Sequence, residues 1–487
     1  MRSKVIFAFV LILFLTTRVY RIAQIPQSLY WDEASIGYNA FAVATDLKDE
    51  WGEKLPLHFR AFGEFKLPVY IYTVAVFVKA IGLNEYAVRL PAVLYSLGTL
   101  IVVYLLTKKI TGGEGVAILA SFILSVSPWF FIFSRTGYEA TAGLFFFLLA
   151  IYLFIFGVDK KPGVNKKLLF FFGVTFLIAS IYSYTVYRLL SLPVLLFFTI
   201  LTLQKGFRKE LPVVLFSLLF FVVSLIPIVR LFIYDAGFGR AQGFALIPGF
   251  RQVYDLAGKP RFQITFNRTE GINWWQNVAT MGRNYFSHFS PNFLFLSGDG
   301  NPRSQIPGHG QLYMFEIPLV LLGLFAVVKR KKILYYLPLA LLLIAPIPAA
   351  LTKESPHALR ALLAAPAFAM ISALGVYYLR ENVKKLSMIV LVVIIAAYYL
   401  FFENYVVDFA TKYSSETSSD WQYQYKEIFA NQKSGVVTDK YGQPYIFALY
   451  YLKYHPSKFR EDVKYNPVEN WGFSTVKSFN GFEFTDK

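Results

Sequence analysis

Cysteine is absent from this sequence of 487 residues, and methionine and histidine are scarce at five each. The missing thiols exclude disulfides and thiolate metal sites, and say nothing more about compartment. Charge is thin as well: only 16% of residues are Asp, Glu, Lys or Arg, against 56% hydrophobic and 18% aromatic, and mean hydropathy is +0.47. A chain so poor in charge is not a soluble globular domain. No Walker A phosphate loop and no HExxH zinc signature occurs in it. The charge that is present leans to one sign, with a formal net of +18. In a soluble protein this excess would suggest a nucleic-acid partner. Here the basic residues cluster in short loops between apolar runs, the topogenic pattern of a membrane protein, so no nucleic acid is expected.

The apolar runs are about 18–22 residues long, enough to cross roughly 30 Å of hydrocarbon. They fall at 5–23, 89–107, 115–134, 137–157, 168–187, 189–204, 211–234, 313–328, 333–351, 359–379 and 386–403. The first follows a basic head, lacks a small-x-small cleavage site and is followed at once by Arg18 and Arg21, so it reads as an uncleaved helix. One further run, "KLPVYIYTVAVFVKAIG" at 66–82, is settled by charge parity. If it does not span, the basic loops "DKKPGVNKK", "QKGFRKE", "KRKK" and "RENVKK", with Lys108, Lys109, Arg2 and Lys4, all lie in the cytoplasm; if it spans, the connecting loops move outside. An interfacial helix is therefore expected at 66–82.

The fold class that follows is an all-α polytopic membrane protein of about eleven transmembrane helices, with interfacial juxtamembrane helices and a small extramembrane α/β appendage at the C-terminus. The boundaries are 1–403 for the transmembrane domain and 404–487 for the appendage, in which "SGVVTD" reads as a strand and "QPYIFALYYLKY" as a helix. The N-terminus is expected in the cytoplasm and the C-terminus outside. The first loop (24–88) and the long loop (235–312) fall outside too.

Four charged clusters then share that outer face. They are Asp32 and Glu33 in "YWDEASIGYNA", Glu64 and Lys66 in "GEFKLP", Arg135 and Glu139 in "SRTGYEA", and His357 and Arg360 in "SPHALR". Carboxylates beside several cations at a membrane–water boundary suit a substrate that carries a lipid-linked phosphate: a base takes a proton from an acceptor, and cations stabilise the departing phosphate. Plainer roles stand beside these. Asp32 would serve as an N-cap with Glu33 answering the helix dipole, Lys66 as a snorkelling lysine, and Arg135 with Glu139 as an i,i+4 pair. Adjacent helical residues diverge by about 100°, so the two carboxylates at 32 and 33 do not both face one substrate atom. Trp274 and Trp275 are candidates for stacking on sugar rings or for an aromatic belt, and "NRT" at Asn267 is a sequon.

Together "YWDEASIGYNA", "GEFKLPVYIY", "AVRLPAV", "SPWFFIFSRTGYEAT" and "PHALRALLAAPAFA" resemble the GT-C glycosyltransferases, most of all the protein-O-mannosyltransferase and aminoarabinose-transferase-like group that uses polyprenyl-phosphate sugars. The resemblance covers roughly 1–160 and the stretch near 357–370; 235–312 and 404–487 show none, and there is no WWDYG-like run of the oligosaccharyltransferases. It implies juxtamembrane helices in the first outer loop. It also implies a base at Asp32 with Glu33 beside it, and a phosphate-binding lysine at Lys66, where Leu67 replaces a common second proline. Arg135 corresponds to the arginine of the second outer loop, and Glu139 stands where many relatives carry Asp.

The function expected is transfer of a sugar from a polyprenyl-phosphate donor to a hydroxyl of a protein, lipid or glycan acceptor on the outer face. Asp32 acts as base and the anomeric carbon inverts. Lys66, Arg135, His357 and Arg360 meet the phosphate, and Glu64 and Glu139 support them. No cofactor is expected; a divalent metal held by Asp32 and Glu139 is the alternative. A transporter or flippase for a polyprenyl-linked or anionic substrate is the rival reading, and charges deep within the spans would favour it.

Overall fold

The computed structural model describes residues 2–62, 64–158, 165–204, 211–234, 251–254, 260–263, 274–383, 387–467 and 474–485. The sequon at Asn267 and most of the basic loops at 159–167 and 204–210 lie outside them. Each of the eleven apolar runs coincides with helix. Six stretches are long and apolar enough to cross a membrane: Glu85–Thr111, Ala140–Val158, Val186–Gln204, Leu211–Ile233, Ile333–Ala350 and Met388–Glu416. The other runs form α1 (Arg2–Val19) and the helices Glu114–Val126, Lys166–Ile181, Ile317–Arg330 and Ala364–Asn382. This is a polytopic membrane fold.

Local chemistry sets the breaks. The run at 115–134 is interrupted because Pro128 pushes the preceding Ser127 into extended backbone (φ −67°, ψ 129°), and a short helix Pro128–Phe131 follows. The helix Lys166–Ile181 starts where the Asn165 side chain accepts from the Leu168 N–H at 3.2 Å. The run at 359–379 begins later than its pattern suggests, because 358–363 form turns and the helix starts at Ala364. On Leu211–Ser224, Leu215, Phe216 and Leu219 are more than half exposed, as lipid-facing side chains are.

Two compact units make up the chain, both discontinuous in sequence. The first comprises Met1–Tyr20, Ala92–Leu218 and Thr280–Glu416. A close crossing in it joins Ile317–Arg330 to Ala364–Asn382. A Cβ at Gly323 would lie 2.0 Å from the Ile371 carbonyl oxygen, and one at Gly375 would lie 2.0 Å from that of Leu319. Only glycine permits this approach, the usual device where helices pack without a hydrophobic drive. Fully buried Arg18, in the last turn of α1, donates to Ser134 Oγ (2.8 Å) and to the Ser125 carbonyl (2.7 Å).

The second unit comprises Arg21–Pro91, Leu219–Ala279 and Thr417–Lys487. Its core is α2 (Trp31–Asp46), packed between α3 (Pro68–Ile81) and the C-terminal helix Pro444–Tyr451. A hairpin of β1 (Phe59–Ala61) and β2 (Glu64–Lys66) delivers the chain to α3, whose first residue is a proline suited to that position. With 14 residues, α3 is about 21 Å long, short of the ~30 Å of a bilayer core.

The α/β character read from the C-terminal composition is present. Strands Gly435–Val437, Phe482–Phe484, Val476–Phe479 and Lys464–Tyr465 form one sheet in that spatial order. The segment beyond Thr417 is built into the same unit as the first loop. Tyr38 on α2 donates to the Tyr454 carbonyl at 3.0 Å, Lys426 meets Glu85 at 3.1 Å, and Arg460 pairs with Asp46.

Candidate active site

The start of α2 carries the tryptophan and both carboxylates of the "WDE" run. Tyr30 occupies the N-cap position in extended backbone and no side chain caps the helix, so Asp32 sits in the first turn and is not the N-cap. The 100° step between neighbours sends Asp32 and Glu33 to different surroundings.

Glu33 points inward. Its carboxylate is completely buried and is gripped by the equally buried Arg89 of α4 (Glu85–Thr111), with Nε to Oε1 and Nη2 to Oε2 both at 3.0 Å. Arg89 spends its remaining donors on the backbone carbonyls of Ile22 (2.8 Å), Pro26 (2.9 Å) and Ser28 (2.7 Å). All five guanidinium N–H groups are thus used. Arg89 lies within "AVRLPAV", and an arginine in the first turns of an apolar run is the sequence signal that marks it, though it names no role.

Asp32 points the other way and keeps 19% of its side-chain surface. It is paired with Lys66, whose ammonium also contacts Glu64 at 3.0 Å and is 3% exposed. Three residues expected to act together are therefore together. Lys66 ends β2, and the hairpin register, with Phe59 opposite Lys66 and Ala61 opposite Glu64, puts both side chains on one face of the ribbon. With all three groups ionised, the cluster carries a formal charge of −1.

A further carboxyl, Glu50, follows the end of α2 and folds back against it. Glu50 is fully buried beside Asn39, which is seven residues from Asp32 and so on the same helix face. It accepts from Trp51 Nε1 at 3.2 Å. Burial and the neighbouring Asp49 push its pKa up to about 8.

The other expected residues belong to the first unit. Arg135 is 1% exposed, donates to the Thr17 carbonyl and, at 2.9 Å, to that of Tyr20, and lies 4.7 Å over the Phe409 ring. A cation on the last carbonyls of α1 suits the negative end of that helix. The chain from Arg135 to Glu139 is not helical, so an i,i+4 pairing does not apply to them. Arg360 donates to Thr352 Oγ1 at 2.8 Å and meets Glu354 at 3.4 Å.

His357 is anchored through its backbone, whose N–H donates to His288 Nε2 at 3.1 Å, and its ring lies 3.8 Å from Asp299. Asp299 also accepts from the Ala358 N–H at 2.7 Å. Burial raises the Asp299 pKa, against the lowering effect of backbone N–H groups from Ala358 and Asn301. Burial lowers that of His288, in keeping with a neutral ring accepting at Nε2. Neither Asp299 nor His288 was singled out in the sequence; both lie in the long loop among residues with no motif.

The fully buried charges Arg18, Arg89 and Glu316, at the apolar helices α1, α4 and Ile317–Arg330, all sit in or beside terminal turns. None lies at the middle of a span among the described residues. Trp275 is 76% exposed.

Residues 66–229, about a third of the chain, match the family model of dolichyl-phosphate-mannose-protein mannosyltransferases. No curated protein matches the sequence. Among solved structures, the Archaeoglobus fulgidus oligosaccharyltransferase in complex with zinc and sulfate is similar over 92% of this chain and 61% of its own, with 14% identity and a TM-score of 0.53. The same organism's AglB with an inhibitory peptide and a dolichol-phosphate gives 93% and 64%, 12% identity and a TM-score of 0.52. ArnT from Cupriavidus metallidurans bound to undecaprenyl phosphate gives 94% and 75%, 12% identity and a TM-score of 0.49. At these identities the likeness is one of fold, the GT-C fold. The chain spans about three-fifths of the length of the archaeal enzyme.

Proposed function

We propose that this protein is an integral membrane glycosyltransferase that moves a sugar from a polyprenyl-phosphate donor to an acceptor hydroxyl on the extracytoplasmic face. The observation that carries the reading is the Asp32–Lys66–Glu64 cluster at the head of α2, where a part-exposed carboxylate adjoins a buried ammonium. The match to the mannosyltransferase family over 66–229 begins at this lysine, and the AglB structure of the same fold holds a dolichol-phosphate.

In this reading the Asp32 carboxylate takes the proton of the acceptor hydroxyl. The freed oxygen attacks the anomeric carbon as the bond from that carbon to the phosphate oxygen breaks. One displacement inverts the centre, and the proton remains on Asp32. The polyprenyl phosphate leaves with its new charge against Lys66, held in place by Glu64. Because the cluster is formally −1 before the donor arrives, Lys66 does not offset a phosphate alone. Arg135, His357 and Arg360 are the further cations the proposal draws on, with Glu139 supporting them. These cations take the place of a divalent ion, so turnover should survive a chelator. Glu33 is a positioning residue.

The test is the lipid that accompanies the protein. Asp32→Asn, purified in native-lipid discs, should carry a polyprenyl-phosphate sugar detectable by mass spectrometry, whereas Lys66→Ala should carry much less. If neither variant nor the parent holds any polyprenyl phosphate, the proposal fails.

A further inference from the structure

Beside the head of α2 the second unit encloses an open cleft of about 640 Å³, within the range of small-molecule sites. One wall is Trp31, the residue immediately before Asp32. The rest comes from the C-terminal segment: Tyr441 and Tyr445 supply two more rings, and Asp439, Gln443 and Asn466 supply polar groups. Nothing in the transfer chemistry above uses these residues. We propose that this cleft binds the acceptor, and that the acceptor is a glycan. The inference rests on the glycosyltransferase reading and extends it to the class of the second substrate.

The wall is a constructed one. The Trp31 N–H donates to Gln422 Oε1 at 2.9 Å, and the same amide donates from Nε2 to the Tyr441 carbonyl. Gly442, at φ +124°, lies flat against the indole. A Cβ there would come within 2.5 Å of Trp31 Cε3 and 2.6 Å of Gln422 Nε2. The C-terminal segment is therefore fitted to Trp31 and holds its ring as one face of the cleft. Tyr445 is 4% exposed and its ring lies against those of Phe459 and Phe62, with centroids 6.5 Å and 6.0 Å away.

The chemistry of the lining selects a sugar. A pyranose presents C–H faces that pack on aromatic rings and a rim of hydroxyls that both donate and accept. Rigid rings with large contact area meet the first need. Planar amides, which donate and accept, and a carboxylate, which accepts, meet the second. Asn466 is oriented by a bond to Thr475 Oγ1 at 2.9 Å, while the half-buried Gln443 makes no side-chain hydrogen bond to the protein among the described residues. Trp31 is the residue before Asp32 in the first turn of α2. A peptide strand would instead need an unpaired backbone edge, and among the described residues the lining strand residues, Val476 and Phe484, belong to strands paired on both sides.

The experiment is saturation-transfer NMR on the full chain in lipid discs, free of maltoside detergent. The probe is an equimolar mixture of the methyl glycosides of mannose, glucose, galactose and N-acetylglucosamine; a serine-containing peptide amide is the second arm. At least one glycoside should bind, and Asp439→Ala with Gln443→Ala should weaken it at least about tenfold, through loss of one hydrogen bond to a charged group and one neutral one. Gln443→Ala alone serves if the double variant does not fold. Absence of any glycoside signal, or a signal indifferent to these substitutions, overturns the inference. So does peptide binding that these substitutions abolish, which would make the acceptor a protein. Donor lipid is measured on the same preparations: its presence without glycoside binding leaves the transferase reading standing and removes only this one.

Discussion

Glu33→Gln and Asp32→Asn replace neighbouring carboxylates with their amides, and they should damage the protein in different ways. Glu33 has no exposed surface, and both its oxygens are bound to an arginine that is equally buried. Its amide keeps one acceptor for Arg89 but turns an N–H₂ toward a guanidinium that can only donate. Removing one partner of a buried ion pair costs about 3–5 kcal/mol, because the other charge stays desolvated. Arg89 retains three backbone carbonyls, so the lower half of that range is expected for Glu33→Gln. Arg89→Met should reach the upper half, since it also orphans the carbonyls of Ile22, Pro26 and Ser28. The double variant should cost less than the sum, by about 0.5–3 kcal/mol, as contacting residues do.

Asp32 differs at each step. Its side chain is 19% exposed and Lys66 retains Glu64, so Asp32→Asn should cost no more than about 1 kcal/mol, the scale of partly solvated pairs. Turnover, however, should fall by roughly 10²–10⁴-fold, the loss expected of a general base. The assay pairs denaturant unfolding in lipid discs with sugar transfer, corrected for the folded fraction. A stable Glu33→Gln that has lost turnover, beside an active Asp32→Asn, would reverse the two roles and refute the reasoning.

Three further outcomes are expected. Lys66→Ala should weaken donor binding, measured with polyprenyl phosphate in lipid discs, by roughly 1.5–3 kcal/mol, the worth of a charge-assisted hydrogen bond; unchanged affinity would move the phosphate site elsewhere. Glu50 has a native pKa of about 8 against an ordinary 4.5, so the folded protein keeps a proton that the unfolded chain has released, and stability is lost as pH rises between these values. Glu50→Gln should therefore match the parent near pH 4.5 and exceed it by up to about 5 kcal/mol above pH 8, at 1.36 kcal/mol per unit, when both are unfolded across that range; a difference independent of pH would refute the assignment. For topology, a cysteine at exposed Ser434 should react with an impermeant thiol reagent added outside and one at exposed Lys332 should not; the reverse pattern would place α3 across the membrane.

Hydropathy made the helices legible because lipid demands long apolar runs, and it set their ends less well. Ser127 and Pro128 split a run that reads as continuous, and turns at 358–363 delay a helix whose apolar pattern starts earlier. Within the site, Asp32, Glu64 and Lys66 are close because a three-residue hairpin strand and a helix start lie in the same loop, 34 residues apart, and both were marked by charge beside an apolar run. The partner of Glu33 was out of reach, since 56 residues separate it from Arg89 and no periodicity links them. Arg135 is a similar case. Its charge was conspicuous, but carbonyls of α1 more than a hundred residues earlier are its partners. The C-terminal segment carried no motif at all, and its fit to Trp31 depends on the backbone of Gly442.

These long-range contacts bear on the short-range ones. The residue before Asp32 is tied through its N–H to Gln422, and the residue after it is tied through its carboxylate to Arg89. Arg89 in turn holds the incoming chain at Ile22, Pro26 and Ser28, so the approach to α2 is fixed before the helix begins. Asp32 is the residue between these two anchors, and it has only side-chain torsions left to adjust. A proton acceptor needs its geometry held to within about 0.5 Å by surroundings that are themselves locked. A bidentate, fully desolvated pair is a costly way to stabilise a fold, since apolar residues of like volume often do as well. It is an effective way to deny a helix end its freedom, which is what the proton acceptor proposed at Asp32 would require.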